Sequence, residues 1–273
     1  MSPHWYALGA IALWASLAAL GVTLRHVPPF LLTGLALVIG SVPAWPLVRH
    51  WRVPPRTLAL GIYGLFAYHF LLFIALRAAP PVEANLVNYL WPLLIVLLAP
   101  ILLRDVHLKG AHVFAGLAGF AGAAIAILGG GGASGAWSWG YLPALGAAFI
   151  WSSYSLWTRR VPSFPTAAVG LFGLVSGLLS LACHALLEDP VQLSPRDYAL
   201  IAVMGLGPLG AAFFLWDKAL KTGDARHIGI LSYLTPLAST TLLVLVTGRS
   251  FSLSILAAAA LIIGAALIGT RVR

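Results

Sequence analysis

The sequence predicts an all-α integral membrane protein of ten transmembrane helices, arranged as two inverted five-helix repeats. Three observations carry this reading. The 273 residues are 60% hydrophobic and only 8% charged, with a mean hydropathy of +0.96; soluble domains carry roughly 25% charge. Charges, prolines and glycines divide the chain into ten apolar runs of bilayer-crossing length. The first five runs resemble the last five in order along the chain.

The runs are 3–24, 30–48, 57–76, 84–103, 110–128, 140–158, 166–187, 198–220, 228–246 and 253–270, joined by short connections such as RHVPP and RDVHLK. The first lacks a basic leader, so it reads as a retained span rather than a cleaved signal. Arg25, Arg77, Arg196 and Arg249 fall on one side of the membrane, and the other twelve of the 16 Lys and Arg on the opposite side. The richer side is expected to be cytoplasmic, with both termini there. The net charge of +9 sits in breaks between apolar runs, which excludes a nucleic-acid partner. The single cysteine, Cys183, excludes an internal disulfide and a cysteine-based metal site.

The halves divide as 1–129 and 136–273. ALGAIALWAS from Ala7 matches ALGAAFIWSS from Ala144, LRHVPPF matches TRRVPSF, and YLWP at Tyr89 matches YLTP at Tyr233. Five spans per repeat is an odd number, so the second copy enters the membrane inverted. Inverted repeats are typical of secondary transporters, whose site lies near midplane between the halves. The repeat itself implies a carrier and no particular cargo.

Within the fourth span, helical spacing puts Asn85, Asn88, Tyr89 and Pro92 on one side with Trp91 at its edge, and leucines on the other. Asparagine facing hydrocarbon needs partners, and Pro92 frees a backbone group and kinks the helix. Such a face lines a cavity; an interfacial aromatic belt with helix packing is the bland alternative. In the ninth span Tyr233 and Pro236 repeat the pattern. In the third, His69 borders an arc of aromatic residues with Tyr68 beyond it; it is either a packing histidine or a polar contact to cargo. Trp14 and Trp151 are repeat-related and fall mid-span, with Ser155 near the face of Trp151, and Phe214 adds an aromatic on the eighth span. Gly61, Gly64, Gly207 and Pro208, with Pro92 and Pro236, are candidate hinges or close-contact points. The small-residue stripes of the fifth and tenth spans suit packing between halves or subunits.

No phosphate-binding Gly-x-x-x-x-Gly-Lys-Ser/Thr loop occurs, and no cofactor or metal is implied. All seven acids lie at or near span ends, leaving no buried carboxylate for a sodium ion or a permanent cation. No Lys or Arg lies mid-span, which disfavours phosphate cargo. The nearly uncharged, ring-rich inventory suits a zwitterion with an aromatic side chain, its charged ends met by Asn85, Asn88, tyrosine hydroxyls, His69 and kinked backbone.

The W-S near the start of each half, the R-x-V-P-x-F after its first span, and the segment ALRAAPPVEANLVNYLWPLL resemble the EamA-type members of the drug/metabolite transporter superfamily, over essentially the whole chain. NYLWP is similar to bacterial aromatic amino acid exporters within that family. Many relatives carry Gly-Glu after the fourth and ninth spans, where this chain has Arg104-Asp105 and Gly248-Arg249. The resemblance implies a carrier in a bacterial inner membrane, exporting aromatic or other apolar amino acids by alternating access, and a monomer is expected. A broad drug or metabolite exporter is the alternative. An intramembrane enzyme or assembly factor fits less well, since no clustered acids, histidine pair or Ser/Lys dyad is present.

Overall fold

The fold was analysed in a computed structural model, in which residues 2–103, 106–128, 137–247 and 253–271 are described. The expected departures at Arg104-Asp105 and Gly248-Arg249, and the glycine-rich junction at 129–136, lie outside them. The described residues contain helices and no strands. Eight helical runs are long and apolar enough to cross a membrane. The sixth expected span, α9 (Tyr141–Trp157), is one turn shorter than most of these. The ninth is divided into α13 (Ala225–Leu231) and α14 (Leu234–Thr247).

Proline starts many of the helices. α1 (Pro3–Ala15), α3 (Pro29–Ser41), α4 (Pro55–Ile62), α6 (Pro81–Asn88) and α11 (Pro195–Leu206) each place it in the first turn, where its missing N–H would have had no helical partner. α11 adds a reciprocal cap: Ser194 Oγ accepts from the Asp197 amide at 3.2 Å, and Asp197 Oδ2 accepts from the Ser194 amide at 2.9 Å. α2 (Leu17–Thr23) continues the first span after a break at Ser16. A 3-10 segment, Val42–Trp51, carries the second to its end.

Two irregularities each occur twice. The helix α4–α5 (α5 is Tyr68–Ala78) contains a π-helical turn at Tyr63–Ala67. The run from α11 to α12 (Ala212–Thr222) contains another at Gly207–Ala211. The fourth span breaks between α6 and α7 (Trp91–Leu102), and the ninth between α13 and α14. In each broken span a proline follows within one turn, Pro92 and Pro236. Lacking an N–H, it cannot close the helical bond to residue 88 or 232.

Packing follows the small residues. α8 (Gly110–Leu128) lies against α15 (Leu253–Arg271), and α3 against α10 (Ala168–Leu187). A Cβ on Gly122 would meet Ile262, and a Cβ on Gly177 would lie 2.9 Å from the Gly34 carbonyl. These helices approach closely because no side chain stands between them. The periphery is apolar: Ile101, Phe114, Leu142, Leu186 and Leu256 are all exposed, as lipid-facing positions require. The interior, by contrast, is filled by aromatic rings.

Candidate functional site

Four indoles meet at the centre of the chain. Trp14 comes from α1, Trp91 from the start of α7, Trp151 from α9 and Trp216 from α12. All six pairs among them have ring centroids between 5.3 and 6.4 Å, and none of the four is more than 8% exposed. Most pairs are edge-to-face or tilted, the arrangement in which the positive edge of one ring meets the negative face of another. Phe213, Tyr154 and Tyr68 complete the box, at 5.6, 5.5 and 5.3 Å from Trp151. His69 stands beside Tyr68 at 4.9 Å and Phe213 at 6.3 Å.

Irregular helix geometry holds these rings. A π-helical turn frees a carbonyl from the helical ladder, and each of the two turns gives one to a ring of the box. Trp14 Nε1 donates to the Pro208 carbonyl at 3.0 Å, and His69 Nδ1 donates to the Leu65 carbonyl at 2.6 Å. The break ahead of Trp91 turns that ring into the box. Trp216 Nε1 donates to Ser155 Oγ at 3.1 Å, and Asn88 Nδ2 to Tyr68 Oη at 3.2 Å. Tyr63 and Ser153 share a hydroxyl–hydroxyl bond of 2.8 Å that ties the α4–α5 run to α9.

Of the residues singled out in the sequence, the structure therefore brings together Trp14, Tyr68, His69, Asn88, Trp91, Trp151 and Ser155. Tyr89, half-buried, occupies the α6–α7 break, and Asn85 lies one turn earlier, also half-buried. Phe214 lies beside the box, lining a small crevice with Leu37, Gly40, Ser41, Val169 and Phe213. Tyr233 stands apart: it is fully buried against Leu93, Ala123 and Ile262, with its ring on Gly119.

Gly61, just before the π-helical turn of α4–α5, and Gly64 within it are seats for rings. A Cβ on Gly61 would collide with Phe172, and one on Gly64 with Tyr154. Gly207 has ordinary room, its nearest neighbour being Leu13 at 3.7 Å.

Tyr154, near the face of Trp151, and Phe213 and Trp216, aromatics of the eighth span, join the box. Phe213 and Trp216 are three apart and share a helix face that Phe214 does not. The expectation of no buried carboxylate is corrected. Asp217 is 2% exposed, its Oδ2 bound to Thr166 Oγ1 and Lys221 Nζ, both at 2.7 Å. The side chain of Glu188 is equally buried, between Arg77 at 2.6 Å and His184 at 3.0 Å. Glu188 caps the end of α10 and Asp217 lies within α12, each with a cation already in place, Arg77 and Lys221, which makes burial tolerable.

An all-helical fold with apolar outer faces, broken spans and a ring-lined centre defines a polytopic membrane protein of the transporter class. The chain belongs to the EamA-like transporter family, whose model matches residues 1–128 and 138–270. It is 42% identical to the aromatic amino acid exporter YddG of Ancylobacter novellus, over 96% of this chain and 94% of that one. Against the protein of the same name from Escherichia coli K12 the identity is 24%, over 95% and 93%. A solved crystal structure superposes with a TM-score of 0.93 at 41% identity, covering 98% of each chain.

Proposed function

We propose that this protein is a secondary carrier that exports aromatic and other apolar amino acids from the cytoplasm by alternating access. The box of Trp14, Trp91, Trp151 and Trp216 receives the side chain. The observation that carries the reading is the box itself: an uncharged, buried, ring-walled centre built from four separate helices. Planar apolar groups find edge and face contacts there, while a permanent cation or a phosphate finds no opposite free charge. The name of the Ancylobacter relative agrees with this cargo.

In this reading the ten spans form two inverted halves, with the sixth and ninth spans supplied by α9 and by the α13–α14 pair. The paired π-helical turns and paired breaks support it, as does the double match to the family. The excess of basic loops on one side puts both termini in the cytoplasm of a bacterial inner-membrane protein. One chain completes the box, so a monomer suffices. The π-helical turns and the breaks at Pro92 and Pro236 are where helices bend during the cycle.

Counterflow of radiolabelled amino acids in proteoliposomes, with and without a pH gradient, tests the proposal. Tryptophan and phenylalanine should exchange, and Trp91→Ala and His69→Ala should lower the rate. No exchange of any amino acid by the purified protein would sink the reading.

A further inference from the structure

Several polar atoms beside the box are committed. The indole N–H groups of Trp14 and Trp216, the Nδ1 of His69 and the hydroxyl of Tyr68 each have a named partner. Asn88 Oδ1 does not. Asn88 is 4% exposed, its Nδ2 donates to Tyr68, and its Oδ1 is buried with no hydrogen-bond partner among the described residues. Leaving a buried acceptor unpaired costs free energy that nothing else at this position returns. The residue ends α6 at the break. Its own carbonyl cannot receive the helical bond from position 92, which is proline.

We infer that Asn88 Oδ1 is the acceptor for the α-ammonium group of the transported amino acid, an assignment that rests on the exporter reading above. One N–H of the amide is engaged by Tyr68, and the atom left with no partner at all is the acceptor Oδ1. Of the two charged ends of an amino acid, only the ammonium donates. The surrounding rings favour the same end, because a cation is attracted to an aromatic face, and Tyr68 lies against Trp151 at 5.3 Å. Asp217 is a poorer receptor despite its charge. Its Oδ2 is held by Lys221 and Thr166, both at 2.7 Å, so although its Oδ1 is also without a partner, the charge is already balanced by a resident cation.

Competition in the tryptophan counterflow assay tests the assignment. Tryptamine keeps the ring and the ammonium; indole-3-propionate keeps the ring and the carboxylate. Wild type should be inhibited about tenfold better by tryptamine, the effect of one hydrogen bond to a charged group. Asn88→Ala should erase that preference, and Asn88→Asp, which replaces the amide with an anion, should widen it about tenfold. The assignment is overturned if indole-3-propionate competes as well as tryptamine in wild type, a comparison that needs no variant. It is also overturned if Asn88→Ala folds, by its thermal midpoint, and weakens the two compounds equally. These results leave the exporter reading standing whenever wild type still exchanges tryptophan. If wild type exchanges no amino acid, both fall together.

Discussion

The indole N–H of Trp14 reaches across to the main-chain carbonyl of Pro208, 194 positions away, with a bond of 3.0 Å. The contact joins the first helix to the π-helical turn of α11–α12. It uses a carbonyl that only an irregular helix leaves available.

Trp14→Phe keeps a ring in the box and removes that donor. The carbonyl of Pro208 is then buried without its partner, at a cost of about 1–3 kcal/mol. The thermal midpoint of the purified protein in detergent should fall, and counterflow should slow. An unchanged midpoint would show that the carbonyl finds another partner.

Gly64→Ala asks whether Gly64 is needed as a seat for the Tyr154 ring. The new methyl collides with that ring, which lies 5.5 Å from Trp151, so the substitution should cost about 1–3 kcal/mol. Gly21→Ala is the control. Nothing lies near the Cβ position there, and a helical glycine replaced by alanine gains about 0.4–1 kcal/mol. Thermal unfolding of the two variants should move in opposite directions.

The carboxylate of Glu188 accepts four hydrogen bonds: from Arg77, from His184, and from the Phe30 and Leu31 amides at the start of α3, at 3.1 and 3.2 Å. Glu188→Ala strands the two α3 amides and leaves Arg77 and His184 without their acceptor, and should cost about 1–3 kcal/mol. Arg77 is half-exposed, so Arg77→Ala should cost no more than about 1 kcal/mol. Comparable losses in urea titrations of the two variants would refute this ranking.

Trp151 touches every other indole of the box together with Tyr68, Tyr154 and Phe213. Trp151→Ala should weaken tryptophan and phenylalanine by about tenfold or more and leucine by less. Inhibition by unrelated planar compounds, measured alongside, separates a dedicated amino acid exporter from a broad one. Equal potency of such compounds would favour the broad reading.

Much of this site was legible from residue type and position. Trp14 and Trp151 stood mid-span, too deep for an interfacial belt, and the Asn-Tyr-x-Trp-Pro pattern marked the fourth span as two-faced. The break itself falls at residues 89–90, just ahead of Pro92, where the missing bond lies. The π-helical turns were not legible: they shift hydrogen bonding by one residue and leave no mark in composition. The glycines beside them read as hinges or close-contact points, and Phe172 and Tyr154, rings from distant helices, are what put Gly61 and Gly64 in close contact. Tyr233 matches Tyr89 in motif and differs in place, since Gly119 on α8 offers it a socket. The burial of Glu188 and Asp217 depends on donors that lie far away in sequence or one helical turn along, which a reading of span ends passes over.

Four touching indoles also make the centre of this molecule a single optical object. Chromophores 5.3 to 6.4 Å apart share their excited states, so the group has a circular dichroism band that separate tryptophans lack. A flat guest admitted among them must part some of those rings. Its arrival is then written directly into the ultraviolet spectrum, and occupancy can be followed in real time without attaching a dye.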